Sequence, residues 1–135
     1  MRKSRKMEAG KAPKLLYESL SFEESNYRYN KKNWMATTLL KAVHDQELEP
    51  FEYPLAAYDM TTLRFDLSNM DMFIYQMKRV LEADYENNPI ILDSLGQVAD
   101  GNHRICHAIL DGKRSILAYR LLNMPEPDFV ETDNG

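Results

Sequence analysis

The stretch from Pro89 to Leu122, PIILDSLGQVADGNHRICHAILDGKRSILAYRLL, constrains this chain more than any other. Pro89 keeps Asn88 out of the right-handed helical region and opens a strand, IILD. SLG turns the chain and QVAD brings it back, so the two runs read as a hairpin. A helix then runs from about Asn102 to Asp111, and Gly112 stands where a glycine stops a helix. SILAYRLL, rich in β-formers, closes the unit as a strand. Strand, turn, strand, helix, strand in this order predicts a sheet with a helix laid across it.

The rest of the chain is read around that unit. NKKNWMATTLLKAVHDQ carries Trp34, Leu39, Leu40 and Val43 near one face at helical spacing, with Asn33 as the expected N-cap. ELEPFEYP breaks the pattern with two prolines, and LAAYDM follows as a short strand. LSNMDMFIYQMKRVLEAD is the strongest helix. Ser68 and Asp71 form an imperfect capping box, and Phe73, Ile74, Met77, Val80 and Leu81 form a stripe read as core. LLYESLSFEES has no clear period. The expected architecture is a small α/β (α+β) domain, a mixed sheet with packed helices. Expected boundaries are a flexible basic arm over 1–13, an N-terminal helical extension over 14–52, the main domain over 53–124 and an acidic tail over 125–135.

A length of 135 residues suits one domain with one core. No apolar run approaches the roughly 20 residues of a membrane span, and no apolar stretch follows the basic start as in a signal peptide. A cytoplasmic protein is expected. The single cysteine, Cys106, excludes an intrachain disulfide. Net charge is −4, unevenly spread. Arg2, Lys3, Arg5, Lys6, Lys11 and Lys14 against Glu8 leave the remainder strongly acidic. Such a body repels phosphates, so sequence-independent nucleic-acid binding is disfavoured except through the arm.

Candidate chemistry gathers at Asp100–Arg104. The first amides of a helix lack intrahelical partners, and the dipole makes that end positive. Gly101 is expected to let a ligand approach the backbone. Arg104 suits bidentate contact with phosphate oxygens. His103 suits hydrogen bonding or proton transfer near neutral pH. Asp100 suits a divalent cation or general-base work. A plain helix start with a polar first turn has the same composition. His103 and His107, four apart, share a helix face as zinc ligands often do, but the sequence adds only His44 and no matching acid. Cys106 reads as a small helix residue rather than a nucleophile.

This stretch resembles the ParB/sulfiredoxin superfamily. Pro89, Ile90 and Ile91 match its first strand. Asp100, Gly101, His103 and Arg104 match its DGxHR box, and Ala108 and Gly112 match the helix and its stop. The resemblance spans residues 53–122 and is sharpest over 89–122. It implies a phosphate-binding box in which Gly101, Asn102, His103 and Arg104 cradle phosphate. Asp100 would lie beside substrate or Mg²⁺, and Asp100 and His103 would be the catalytic pair. Asn102 stands where sulfiredoxins carry their reactive cysteine, which argues against sulfinic-acid reduction. The residues after Leu122 are too few for a following helix–turn–helix domain. The N-terminal acid of the kinase branch has no firm match, Asp59 and Asp66 being only guesses. Three functions are therefore expected in order. The first is a nucleotide or phosphate binder, with or without Mg²⁺-dependent phosphate cleavage or transfer. The second is a nuclease or DNA-processing accessory, and the third a non-catalytic interaction module.

Overall fold

In the computed structural model, residues 12–13, 15 and 25–132 are described. Most of the predicted arm and most of LLYESLSFEES lie outside them. Among the described residues, two small sheets and three α-helices make an α+β fold. The four-stranded sheet is mixed, ordered β3 (Phe51–Pro54), β6 (Ser115–Arg120), β4 (Ile90–Leu92), β5 (Val98–Asp100). β4 runs parallel to β6 and antiparallel to β5, while β3 is antiparallel to β6. The crossover from β5 to β6 is α3 (Asn102–Leu110).

The hairpin and the helix stop follow the expected chemistry. The buried Asp93 folds the turn by accepting from the amides of Leu95 (2.9 Å) and Gln97 (2.8 Å). After α3, the Gly112 amide bonds the Ile109 carbonyl and the Lys113 amide bonds the Ala108 carbonyl, both at 3.0 Å. This is a Schellman stop, and Gly112 supplies its positive φ of 76°.

β4 is buried on both faces, as the central strand of a covered sheet must be. Ile90 and Leu92 face one core with Ile105 and Ala108 of α3 and with Ile116 and Ala118 of β6. Ile91 faces the other core with Ala99, Leu121, Trp34 and the Leu39, Ala42 and Val43 side of α1 (Ala36–Asp45). Residues read as an N-terminal extension thus supply half of the sheet's cover.

The structure corrects several local expectations. Residues 30–35 are not helical. Asn30 (φ 54°) and Lys31 (φ 66°) form a two-residue turn between β1 (Asn26–Tyr29) and β2 (Lys32–Met35). Asn33 is therefore a strand residue, and Met35 occupies the N-cap position of α1. The capping group comes from the far end of the chain. Asp128 accepts from the Met35 amide at 2.7 Å and the Thr38 hydroxyl at 2.9 Å. The Trp34 indole donates to the Pro125 carbonyl, and β7 (Phe129–Val130) pairs with β2. The segment read as a tail is, as far as residue 132, built into the fold. ELEPFEYP contains β3, and its prolines are tolerated because β3 is an edge strand with Pro54 at its end. Leu55–Ala57, read as strand, is a single 3₁₀ turn.

The long helix α2 (Met70–Glu82) is capped by Asn69, which accepts from the Met72 amide at 2.9 Å, rather than by Ser68. Its apolar stripe is not core. Met70, Phe73, Ile74, Met77 and Leu81 are exposed, and only Val80 of the predicted set is buried. The roll of α2 is tied to two polar contacts with α3. His103 meets Gln76 (2.7 Å), and His107 donates from Nδ1 to the Ala83 carbonyl (2.8 Å). No helix among the described residues is long and apolar enough to cross a membrane.

Candidate functional site

The Asp100–Arg104 turn lies where β5 ends and α3 begins, against α2. Gly101 occupies the N-cap position with φ 126° and offers no side chain to the helix end. The first intrahelical bond is that of the Ile105 amide to the Gly101 carbonyl (2.9 Å). The amides of Asn102, His103 and Arg104 precede it and have no helical acceptor. Asn102, His103 and Arg104 line a cleft of about 1140 Å³ between α2, the α3 end and the start of α1. Arg64, Lys78, Arg79 and Arg104 stand on its walls against Glu82, Asp84 and Asp100. In a chain of net charge −4 this is a local cationic excess. Arg64, Lys78 and Arg79 escaped the sequence reading. The Lys78–Arg79 pair carried no motif, and only the packing of α2 turns it toward the α3 end.

The box residues themselves are more committed than the sequence suggested. A Cβ on Gly101 would lie 2.3 Å from Cγ2 of the fully buried Ile90. The glycine is thus demanded by strand–helix packing and by its backbone angle, and ligand approach is not needed to explain it. Arg104 donates to the Asn88 and Pro89 carbonyls (2.9 and 2.8 Å) and to Asp100 (2.9 Å). It ties the start of β4 to α3. That leaves Nε–H and one further N–H of its five donors for a ligand. The Asn102 amide oxygen accepts from the Tyr58 hydroxyl at 2.8 Å, joining the 3₁₀ segment to the helix start.

His103 stacks on Phe65 with ring centroids 4.1 Å apart while its Nε2 faces Gln76. Burial, followed by the Arg79 and Arg104 charges, pushes its pKa down to about 4. The neutral ring with Nε2–H donating to Gln76 is the form that fits at pH 7. In that form His103 is a neutral post holding α2 to α3. His107 has its own partners, Ala83 and, edge-on, Tyr85. The two histidines therefore serve two different contacts and not one metal. Cys106 is half-buried and its thiol is pushed up by that burial, which suits a packing residue. Asp59 accepts from Thr61 and Thr62, and Asp66 accepts from the Ser68 amide, so both shape their own loop.

A resident Mg²⁺ fits these side chains poorly. Asp100 is held by Arg104, and Asp84 accepts from the Glu86 and Asn87 amides and the Asn87 side chain. Among the described residues, no three His, Cys, Asp or Glu side chains gather as a metal site. What the arrangement can do chemically is offer the first amides of α3, which lack helical acceptors, to an anion. No protein-family model, no curated protein and no solved structure matches this chain.

Proposed function

We propose that this protein binds the phosphate groups of a nucleotide or a related phosphorylated small molecule at the start of α3. The observation that carries the reading is the α3 N-terminus, whose first three amides have no helical acceptor and no side-chain cap from Gly101, beside a cleft walled by Arg64, Lys78, Arg79 and Arg104. Amides without helical acceptors and a positive dipole favour a multiply charged anion, and the cations add to that field. The likeness of Asp100-Gly101-Asn102-His103-Arg104 to the ParB/sulfiredoxin box, set between strand and helix as in that superfamily, supports the same choice. The large cleft suits a ligand with an organic moiety beyond its phosphates, and Phe65 and Tyr75 on its wall offer rings for it to contact.

The reading stops at binding. Asp100 is ion-paired and His103 is neutral and engaged, so neither is poised for phosphoryl chemistry. Calorimetry with ATP, CTP and pyrophosphate tests it. Binding is expected for at least one of the three. Lys78→Ala should weaken that binding by about 5- to 30-fold, the 1–2 kcal/mol of one lost charge contact. Absence of heat and of thermal stabilisation with all three at millimolar concentration would overturn the proposal.

A further inference from the structure

α2 is an amphipathic helix packed with its apolar side outward. Its inward side carries Met72, Gln76, Arg79 and Val80. The stripe of Met70, Phe73, Ile74, Met77 and Leu81 points into solvent, with Met70 at 69% and Leu81 at 59% exposure. At 100° per residue the centres of the two sides stand about 130° apart. Leu63 and Leu67, in the segment leading into the helix, are exposed as well. Taken as full side chains of ordinary size, the seven residues expose roughly 700 Å². That exceeds the ~300–600 Å² of the largest patch on a typical monomer and approaches the ~800 Å² per partner of a stable interface.

We infer that this face is covered by the same face of a second copy, α2 against α2 in antiparallel orientation about a dyad near Ile74. Within the helix a stripe at positions 70, 74, 77 and 81 alternates four and three residues, the spacing with which two helices interlock. The flanking charges set the direction. Asp71 lies in the first turn, and Lys78 lies seven residues on, along the same flank. An antiparallel dyad brings Asp71 of each helix beside Lys78 of the other, twice per dimer. It also lays each helix's positive end by the other's negative end. In a parallel pair the two Asp71–Lys78 flanks would fall on opposite sides of the seam and these charges could not meet. The contact is isologous and closes on itself, which stops it from growing into a fibre. Ile74 and Lys78 belong both to this face and to the cleft lining, whereas Met70, Phe73, Met77 and Leu81 lie outside that lining, so variants at Phe73 and Leu81 test the dimer apart from phosphate binding.

The test is sedimentation velocity of the full chain from 1 to 200 µM. A dimer is expected at the upper end. Phe73→Glu or Leu81→Glu, each at an exposed position that a monomer tolerates, should raise the dimer dissociation constant by about 30-fold or more. Asp71→Lys alone and Lys78→Asp alone should each weaken the dimer, and the two together should restore it. Oxidative footprinting of Met70 and Met77 should show protection that grows with concentration. A monomer throughout the range would overturn the inference. So would a dimer indifferent to Phe73→Glu, or protection of the two methionines that does not vary with concentration, which would place the chain's own N-terminal segment or another occupant on the face.

Discussion

Replacing Gly101 by alanine separates two causes for the glycine in the box. The new Cβ would lie 2.3 Å from Ile90 Cγ2 and 2.7 Å from its Cβ, and Ile90 is fully buried at the sheet centre. Relieving that overlap moves α3 or β4, and overpacking of this kind costs about 1–3 kcal/mol. The backbone adds to it, because φ 126° is foreign to L-residues and costs about 1–3 kcal/mol. The expected loss is about 2–6 kcal/mol, a large part of the 5–15 kcal/mol that stabilises an ordinary domain. Gly112→Ala is the internal control. Gly112 also has positive φ, 76°, but a Cβ there meets nothing within 4 Å. Its loss should be confined to about 1–2 kcal/mol of backbone strain. Urea denaturation followed by far-UV circular dichroism measures both variants. Equal losses would refute the packing argument. So would a Gly101→Ala protein of native stability that had lost only its ligand, since that would return the glycine to the role of making room for phosphate.

Other perturbations follow from the same contacts. His103 has a folded pKa near 4 against about 6.5 unfolded, so between these values the unfolded chain binds the extra proton. Its contribution is present above pH 6.5 and is lost as pH falls toward 4, and His103→Gln should flatten the urea midpoint in that window. An unchanged slope would show that His103 is not held neutral. Asp128→Ala removes the cap of α1 from the far end of the chain and should cost about 1–2 kcal/mol, read by thermal melting. Arg104→Lys, which cannot span two carbonyls and a carboxylate, should cost about 1.5–3 kcal/mol of stability whether or not ligand is present. Tyr27→Phe removes the hydroxyl that donates to buried Asp93 at 2.6 Å and should destabilise by about 1–3 kcal/mol in the same melts.

The unit from Pro89 to Arg120 was legible because its signals are local. A proline opens β4, glycines punctuate the turn and the helix end, and apolar spacing switches from strand to helix between them. Elsewhere the deciding partners are remote in sequence. Nothing near Trp34 says that Pro125 will receive its indole or that Asp128 will cap α1, so residues 30–35 read as helix when they are a hairpin. The Asn30–Lys31 turn lacks the glycine that usually marks such a hairpin. The apolar stripe of α2 has the period of a core face. Periodicity fixes which residues share a side but not which way that side points, and the polar ties to His103 and His107 accompany the outward roll. At the site, the sequence identified the turn and its glycine correctly as special. It could not show that Arg104, Asp100, Asn102 and His103 already have partners within the fold, or that Lys78 and Arg79 from another helix would flank them.

The most direct test of the central claim is the response of the backbone amides at the start of α3 to a nucleoside triphosphate, followed residue by residue in ¹⁵N–¹H correlation spectra. Saturable shifts are predicted to be largest at Asn102, His103 and Arg104, with smaller changes at Lys78 and Arg79, and to weaken in Lys78→Ala. Spectra in which these three amides stay still at millimolar ATP, CTP and pyrophosphate, or in which the shifts centre elsewhere, would contradict the assignment of this helix end as a phosphate site.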